Sequence, residues 1–169
     1  MDKLKVAITN AQKDITIPTG IRLLIRKCCH AVLRAEEIHG DCVLSVSFVN
    51  NDQIQRLNND YRCKNEPTDV LSFPSRDGKE FDVDVETGAK MLGDIAISVP
   101  KVYDQAERLG HSIRREFAYL TVHSMLHLLG YDHEEGGLSQ VRMREKEESV
   151  LALLGLQRDS SYVRDNEEA

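Results

Sequence analysis

Tryptophan is absent and aromatic residues make up only 5% of the chain, so there is little from which to build a stacked aromatic platform that selects bases by shape. Apolar residues are ordinary in amount at 41%, yet no run approaches the roughly 20 residues that a membrane helix needs. The opening Met1-Asp-Lys-Leu-Lys5 is not followed by the apolar core of a secretory signal. The four cysteines, Cys28, Cys29, Cys42 and Cys63, contain no C-x-x-C pair, which argues against both a disulfide framework and a thiolate zinc site. The expectation is a cytoplasmic protein with reduced thiols and no membrane partner.

Surplus positive charge is missing as well, since the chain is −6 overall. That sum hides an uneven distribution. Segments 77–94 and 134–169 each carry −4, which leaves the remainder at +2. Arg22, Arg26, Lys27 and Arg34 stand between Ile21 and Ala35 without one acid, and such a stripe is either a solvated helix face or a contact for a polyanion.

With 169 residues the chain is sized for one domain, expected over 1–155 with a polar acidic tail over 156–169. Alternation predicts strands at 3–9, 42–49, 70–73 and 92–98. Helices are predicted from Thr19 to about Glu37, from Asn50 or Asn51 to about Tyr61, from Pro100 to about Leu109, from Ser112 to Leu129, and over roughly 138–154. The acidic stretch 75–90 reads as loop. Strands and helices do not alternate regularly, so the fold class is α+β: a small mixed sheet of about four strands packed with helices. The helix ending at Leu129 is apolar on most of its surface and should be the buried central one.

That helix carries the strongest chemical signal. In His123-Ser-Met-Leu-His127-Leu-Leu-Gly130-Tyr-Asp-His133, the first two histidines lie four residues apart on one helical face. Gly130 can then take the left-handed conformation that ends the helix and returns His133 to the same point. Three neutral nitrogen ligands with a vacant position describe a catalytic site for one divalent metal ion rather than a closed structural one. The spacing is that of the metzincin proteases, but Ser124 stands where they carry a glutamate base. His111 lies twelve residues before His123, about 18 Å along a continuous helix, too far to share the ion.

Two further stretches, Asn59-Asp-Tyr-Arg62-Cys-Lys64-Asn-Glu-Pro67-Thr68-Asp69-Val70-Leu71-Ser72-Phe73-Pro74 and Leu92-Gly93-Asp94-Ile95, together with the histidine run, closely resemble the YbeY family of metal-dependent endoribonucleases. The one departure in the metal motif is Ser124, where the family usually has glycine; serine is small enough to leave metal affinity unchanged while narrowing the pocket. The resemblance implies single-strand-specific cleavage of RNA in maturation of ribosomal RNA, notably at the 3′ end of the small-subunit (16S) RNA, and in ribosome quality control. It also implies zinc on His123, His127 and His133, an important Arg62, and a ribosomal protein or assembly GTPase as partner.

Arg62 suits a catalytic role because a guanidinium fork donates two parallel hydrogen bonds to a phosphate, although a loop arginine paired with Asp60 or Glu66 is the plainer use. Asp132 and Asp94 are the carboxylates expected to orient a ligand imidazole or shape the site. Lys64 is expected to join Arg62 in a positive groove, while Thr68 and Asp69 serve either the site or the start of the next strand. The attacking group is either water activated at the metal or the RNA 2′-hydroxyl. Two other readings compete: a noncatalytic ribosome-assembly factor with structural zinc, and a metallopeptidase-like hydrolase.

Overall fold

The computed structural model describes residues 2–76, 80–132 and 137–156. The chain runs β1 (Leu4–Asn10), α1 (Ile21–Ala35), β2 (Cys42–Val49), α2 (Asn51–Arg62), β3 (Val70–Pro74), β4 (Asp82–Val83), β5 (Lys90–Ser98), α3 (Val99–Leu109), α4 (Ile113–Leu128) and α5 (Gly137–Leu153). The expected tail beyond residue 156 lies outside the described residues.

One sheet has the order β1-β2-β5-β3. β1, β2 and β5 are parallel, while β3 and the short β4 both pair antiparallel with β5. The α+β class and mixed sheet are as expected. The fifth strand is β4, two residues inside the stretch read as loop; its side chains are exposed, so no alternation could announce it.

Leu44, Val46 and Phe48 of β2 are buried on the face that carries α1 and α4, and Phe48 meets Phe117 of α4 edge-on at 5.7 Å between ring centroids. Val49, Ile54, Leu71 and Ala96 form a smaller cluster involving α2. α4 is apolar on most of its surface because it packs against β3, β5, α1, α3 and α5. It is the buried central helix that the sequence called for.

Capping chemistry sets the helix ends. Asn50 accepts from Gln53 N at 2.9 Å while the Gln53 side chain accepts from Asn50 N at 2.8 Å, a reciprocal pair that starts α2. Ser112 Oγ accepts from Arg115 N at 3.0 Å and starts α4. α1 begins at Ile21 rather than Thr19, because Gly20 is left-handed there. Its core face includes Cys29 and Leu33 and leaves Ala35 outside.

Burial pushes the Cys28 thiol up to about 12 and the Cys29 thiol higher still. The Cys42 thiol is also raised by burial. Cys63 is exposed. Alkylation of the folded protein at pH 8 is therefore expected to label Cys63 alone, with the other three reacting only after unfolding, because the thiolate is the nucleophile. Labelling of Cys28 as fast as Cys63, read by mass spectrometry, would contradict this packing.

Candidate metal centre and cleft

His123 and His127 project from the last turns of α4 into a cleft of about 740 Å³. The His123 ring lies nearly parallel to that of Tyr119 at 5.7 Å and meets the His127 ring nearly at right angles at 4.6 Å. Both imidazoles are oriented from behind. His123 Nδ1 lies 2.8 Å from Glu147 Oε2, and His127 Nδ1 lies 2.8 Å from the carbonyl of Tyr131. Carboxylate and carbonyl oxygens only accept, so each Nδ1 carries the proton and donates it.

The tautomer that follows places a lone pair on each Nε2, and these two atoms face each other at 3.1 Å. Two opposed lone pairs repel; a cation lying between them reverses the sign. Nitrogens each about 2.0–2.1 Å from a tetrahedral zinc ion stand roughly 3.3 Å apart, so the pair fits a metal without rearrangement. Among the described residues no group of three His, Cys, Asp or Glu completes such a site. The expected third ligand, His133, lies outside the described residues.

Glu147 is the oriented carboxylate that the sequence reading missed. It is only 5% exposed, and it sits on α5 among Met143, Val150 and Leu151, the buried residues of that helix. A charged residue on an apolar stripe is the available signal. Tyr131 is tied down as well: its hydroxyl bonds to Glu36, and burial followed by that carboxylate holds it protonated to higher pH than usual. Lys146 bonds Glu36 at 2.9 Å and lies 5.4 Å over the Tyr131 ring, and its own pKa is raised chiefly by Glu36. The histidine turn is thereby fastened to the end of α1 and to α5.

Arg62 is the last residue of α2 and lines the same cleft as both histidines. So do Thr68, Asp69 and Asp132. Asp69 also starts β3: Oδ1 accepts from Val70 N at 2.8 Å, while its carbonyl accepts from Ser98 N at 2.8 Å. Arg108 of α3 and Arg144 of α5 add two guanidinium groups to the cleft wall. Neither could be placed there from sequence, since α3 and α5 reach the cleft only by packing against α4.

Three expected site residues fall elsewhere. Asp94 pairs directly with Ser45 in the sheet register and accepts a hydrogen bond from its hydroxyl. It shares the Ser45 face, opposite the core face of β2, and does not line the cleft. Asp94 alternates with Ile95 and Ile97, which face the main core, while Ala96 joins the cluster on the other side. Lys64 is exposed outside the cleft, because Cys63 adopts a left-handed conformation at φ 57° that turns the chain after Arg62. Ser124 is 0% exposed within α4 and cannot narrow the pocket. His111 precedes α4 and pairs with buried Glu116 instead of approaching the ligands.

A model of the family described as Endoribonuclease YbeY matches residues 7–155. A protein of that name from Caldanaerobacter subterraneus subsp. tengcongensis is 46% identical over 160 residues, covering 92% of this chain and 100% of the relative. One from Chloroflexus aurantiacus is 45% identical over 136 residues, covering 80% and 88% respectively. One from Clostridium botulinum is 39% identical over 166 residues, covering 90% and 99%. A Thermotoga maritima protein solved in solution shares the fold, with a TM-score of 0.56 at 24% identity over 89% of this chain and 91% of that one. The family match takes in every element that lines the cleft, from α2 to α5, and the chain belongs to the YbeY endoribonuclease family.

Proposed function

We propose that this protein is a metal-dependent endoribonuclease that cuts single-stranded RNA at the cleft between α4 and β3. The observation carrying the reading is the pair of Nε2 atoms 3.1 Å apart, both with their Nδ1 protons committed elsewhere, in a cleft shared with Arg62, Arg108 and Arg144. One zinc ion on His123, His127 and His133 is the proposed cofactor, since neutral imidazoles suit zinc. When bound, a divalent cation supplies Lewis-acid polarisation of a phosphoryl oxygen.

The chain's own residues supply the rest. Glu147 and the Tyr131 carbonyl hold the two imidazoles in one tautomer and rotamer, so the ligands need no reorganisation. Arg62 binds phosphoryl oxygens through its fork, where negative charge builds as the bond to the leaving oxygen lengthens. Asp132, beside the third ligand, helps to shape the rim of the site. The peptidase reading lacks its base, because the hydroxyl of Ser124 cannot take a proton from water near neutral pH. The family resemblance supports ribosomal RNA, at the 3′ end of the small-subunit RNA, as substrate in the cytoplasm, with a ribosomal protein or assembly GTPase as partner. Among the described residues no helix is long and apolar enough to cross a membrane.

Cleavage of single-stranded RNA by wild-type and Arg62→Lys proteins, purified identically, tests the assignment. Lysine keeps the charge but loses the fork, and the expected result is a fall in kcat of about a hundredfold with bound metal unchanged. Equal rates in the two preparations would remove Arg62 from the chemistry. End-group analysis of the products separates the two attacking groups, since a 2′,3′-cyclic phosphate requires attack by the 2′-hydroxyl.

A further inference from the structure

The solvent face of α1 lies outside the cleft and is not accounted for by it. Arg22, Arg26, Lys27, His30 and Arg34 are all exposed, and no acid occurs between Ile21 and Ala35. Arg22, Arg26, His30 and Arg34 follow one another at four-residue steps and so form a row rising about 6 Å per step. Arg114, at the start of α4, extends the row past the N-terminal end of α1, with Nη1 3.6 Å from where a Cβ on Gly20 would stand. Leu23, 57% exposed, lies among these charges.

Among the described residues no carboxylate forms an ion pair with Arg22, Arg26, Lys27 or Arg34. Glu36, the first acid beyond the row, is already bonded to Lys146 and Tyr131. Like charges four residues apart weaken a helix, and an arginine in its first turn opposes the helix dipole. A chain with 28 acids and 22 bases nevertheless places no acid between Ile21 and Ala35. The arrangement calls for a polyanion.

Of the polyanions, RNA fits best. Guanidinium groups stepped along a rigid axis match a backbone that repeats one anionic group. A membrane surface fits poorly, because the apolar face of α1 is spent in the core, leaving Leu23 alone to enter a lipid headgroup layer. We infer that the outer face of α1 is a second RNA-docking surface, holding the sugar-phosphate backbone of a long single-stranded substrate while the cleft engages the segment to be cut. That the polyanion is RNA rests on the ribonuclease reading. α1 contributes no residue to the cleft wall, yet it packs against α4 and α5, which do.

The test is fluorescence anisotropy of a long single-stranded RNA with the full chain, carrying Arg22→Glu, Arg26→Glu and Lys27→Glu together. Expected are an affinity at least about tenfold weaker and a log–log salt slope shallower by about 2, with unchanged cleavage of an oligonucleotide only a few residues long. A control with Lys5→Glu, Lys13→Glu and Arg56→Glu, exposed cations elsewhere, should bind as wild type. The triple glutamine variant at positions 22, 26 and 27 should show a smaller loss with an unchanged circular dichroism spectrum, which covers misfolding of the charge reversal. Unchanged affinity and slope would overturn the proposal. So would an equal loss in the control, or RNA affinity retained while binding to phosphatidylserine vesicles is lost. A wild-type protein that cleaves neither RNA, but whose binding falls only in the α1 variant, would leave the docking surface standing and remove the nuclease reading instead.

Discussion

Replacing His127 with alanine is expected to abolish bound metal and to slow RNA cleavage by more than about a thousandfold, because the metal's charge and its positioning of the phosphate vanish together. The physical reason is the convergence of two Nε2 atoms at 3.1 Å. Removing either breaks the α4 pair and leaves two of the three proposed ligands, too few to hold the ion tightly. Glu147→Gln should be graded rather than absolute. Its amide can still accept from His123 Nδ1 but without the negative charge, so metal affinity should fall about 10- to 100-fold and activity should return at saturating metal. Metal content by elemental analysis, with rates measured across a metal titration, separates the two behaviours. A His127→Ala protein with full metal stoichiometry and wild-type rate would refute the centre.

The second large effect is expected from the smallest substitution, Gly93→Ala. Gly93 has φ 137°, a backbone region that side chains rarely enter. A Cβ there would overlap the carbonyl oxygen of Phe73 and stand 3.0 Å from both Pro74 Cα and Leu128 Cδ2. Two of those three are backbone of β3, held to β5 by their ladder, and the third belongs to the residue after His127. The expected loss is about 3 kcal/mol, from combined backbone strain and overpacking, or a Tm lower by roughly 10 °C for a chain of this size. Urea denaturation with an unchanged midpoint would show that β3 can move. A weakened metal centre should accompany the loss, since relief of the overlap displaces the end of α4.

Gly93 also shows what the sequence could and could not say. Its stretch Leu92-Gly93-Asp94-Ile95 was visible as a signature, but the close approach of β3 and Leu128 that makes the glycine necessary comes from distant parts of the chain. The histidine helix was legible because its information is local: spacing sets the face, Ser112 sets the start, and Gly130 sets the turn. Glu147 was hidden for the opposite reason. It meets His123 only because α5 returns across α4, a contact 24 residues apart in the chain. Arg108 and Arg144 were hidden in the same way. Arg62 and Lys64 looked alike as neighbouring cations, and one left-handed residue, Cys63, separates their fates.

The cleft has walls of unequal stiffness. One is α4, packed against five other elements and belonging to the part of the molecule that opens only with the whole. The facing wall is β3, five residues at the rim of the sheet, paired among the described residues with β5 alone. Substrates of different girth must then be accommodated by the strand and the loops beside it. Local softening of that rim would change which RNA segments enter while leaving the alignment of His123 and His127 intact, so the choice of substrate and the power to cut it can evolve apart.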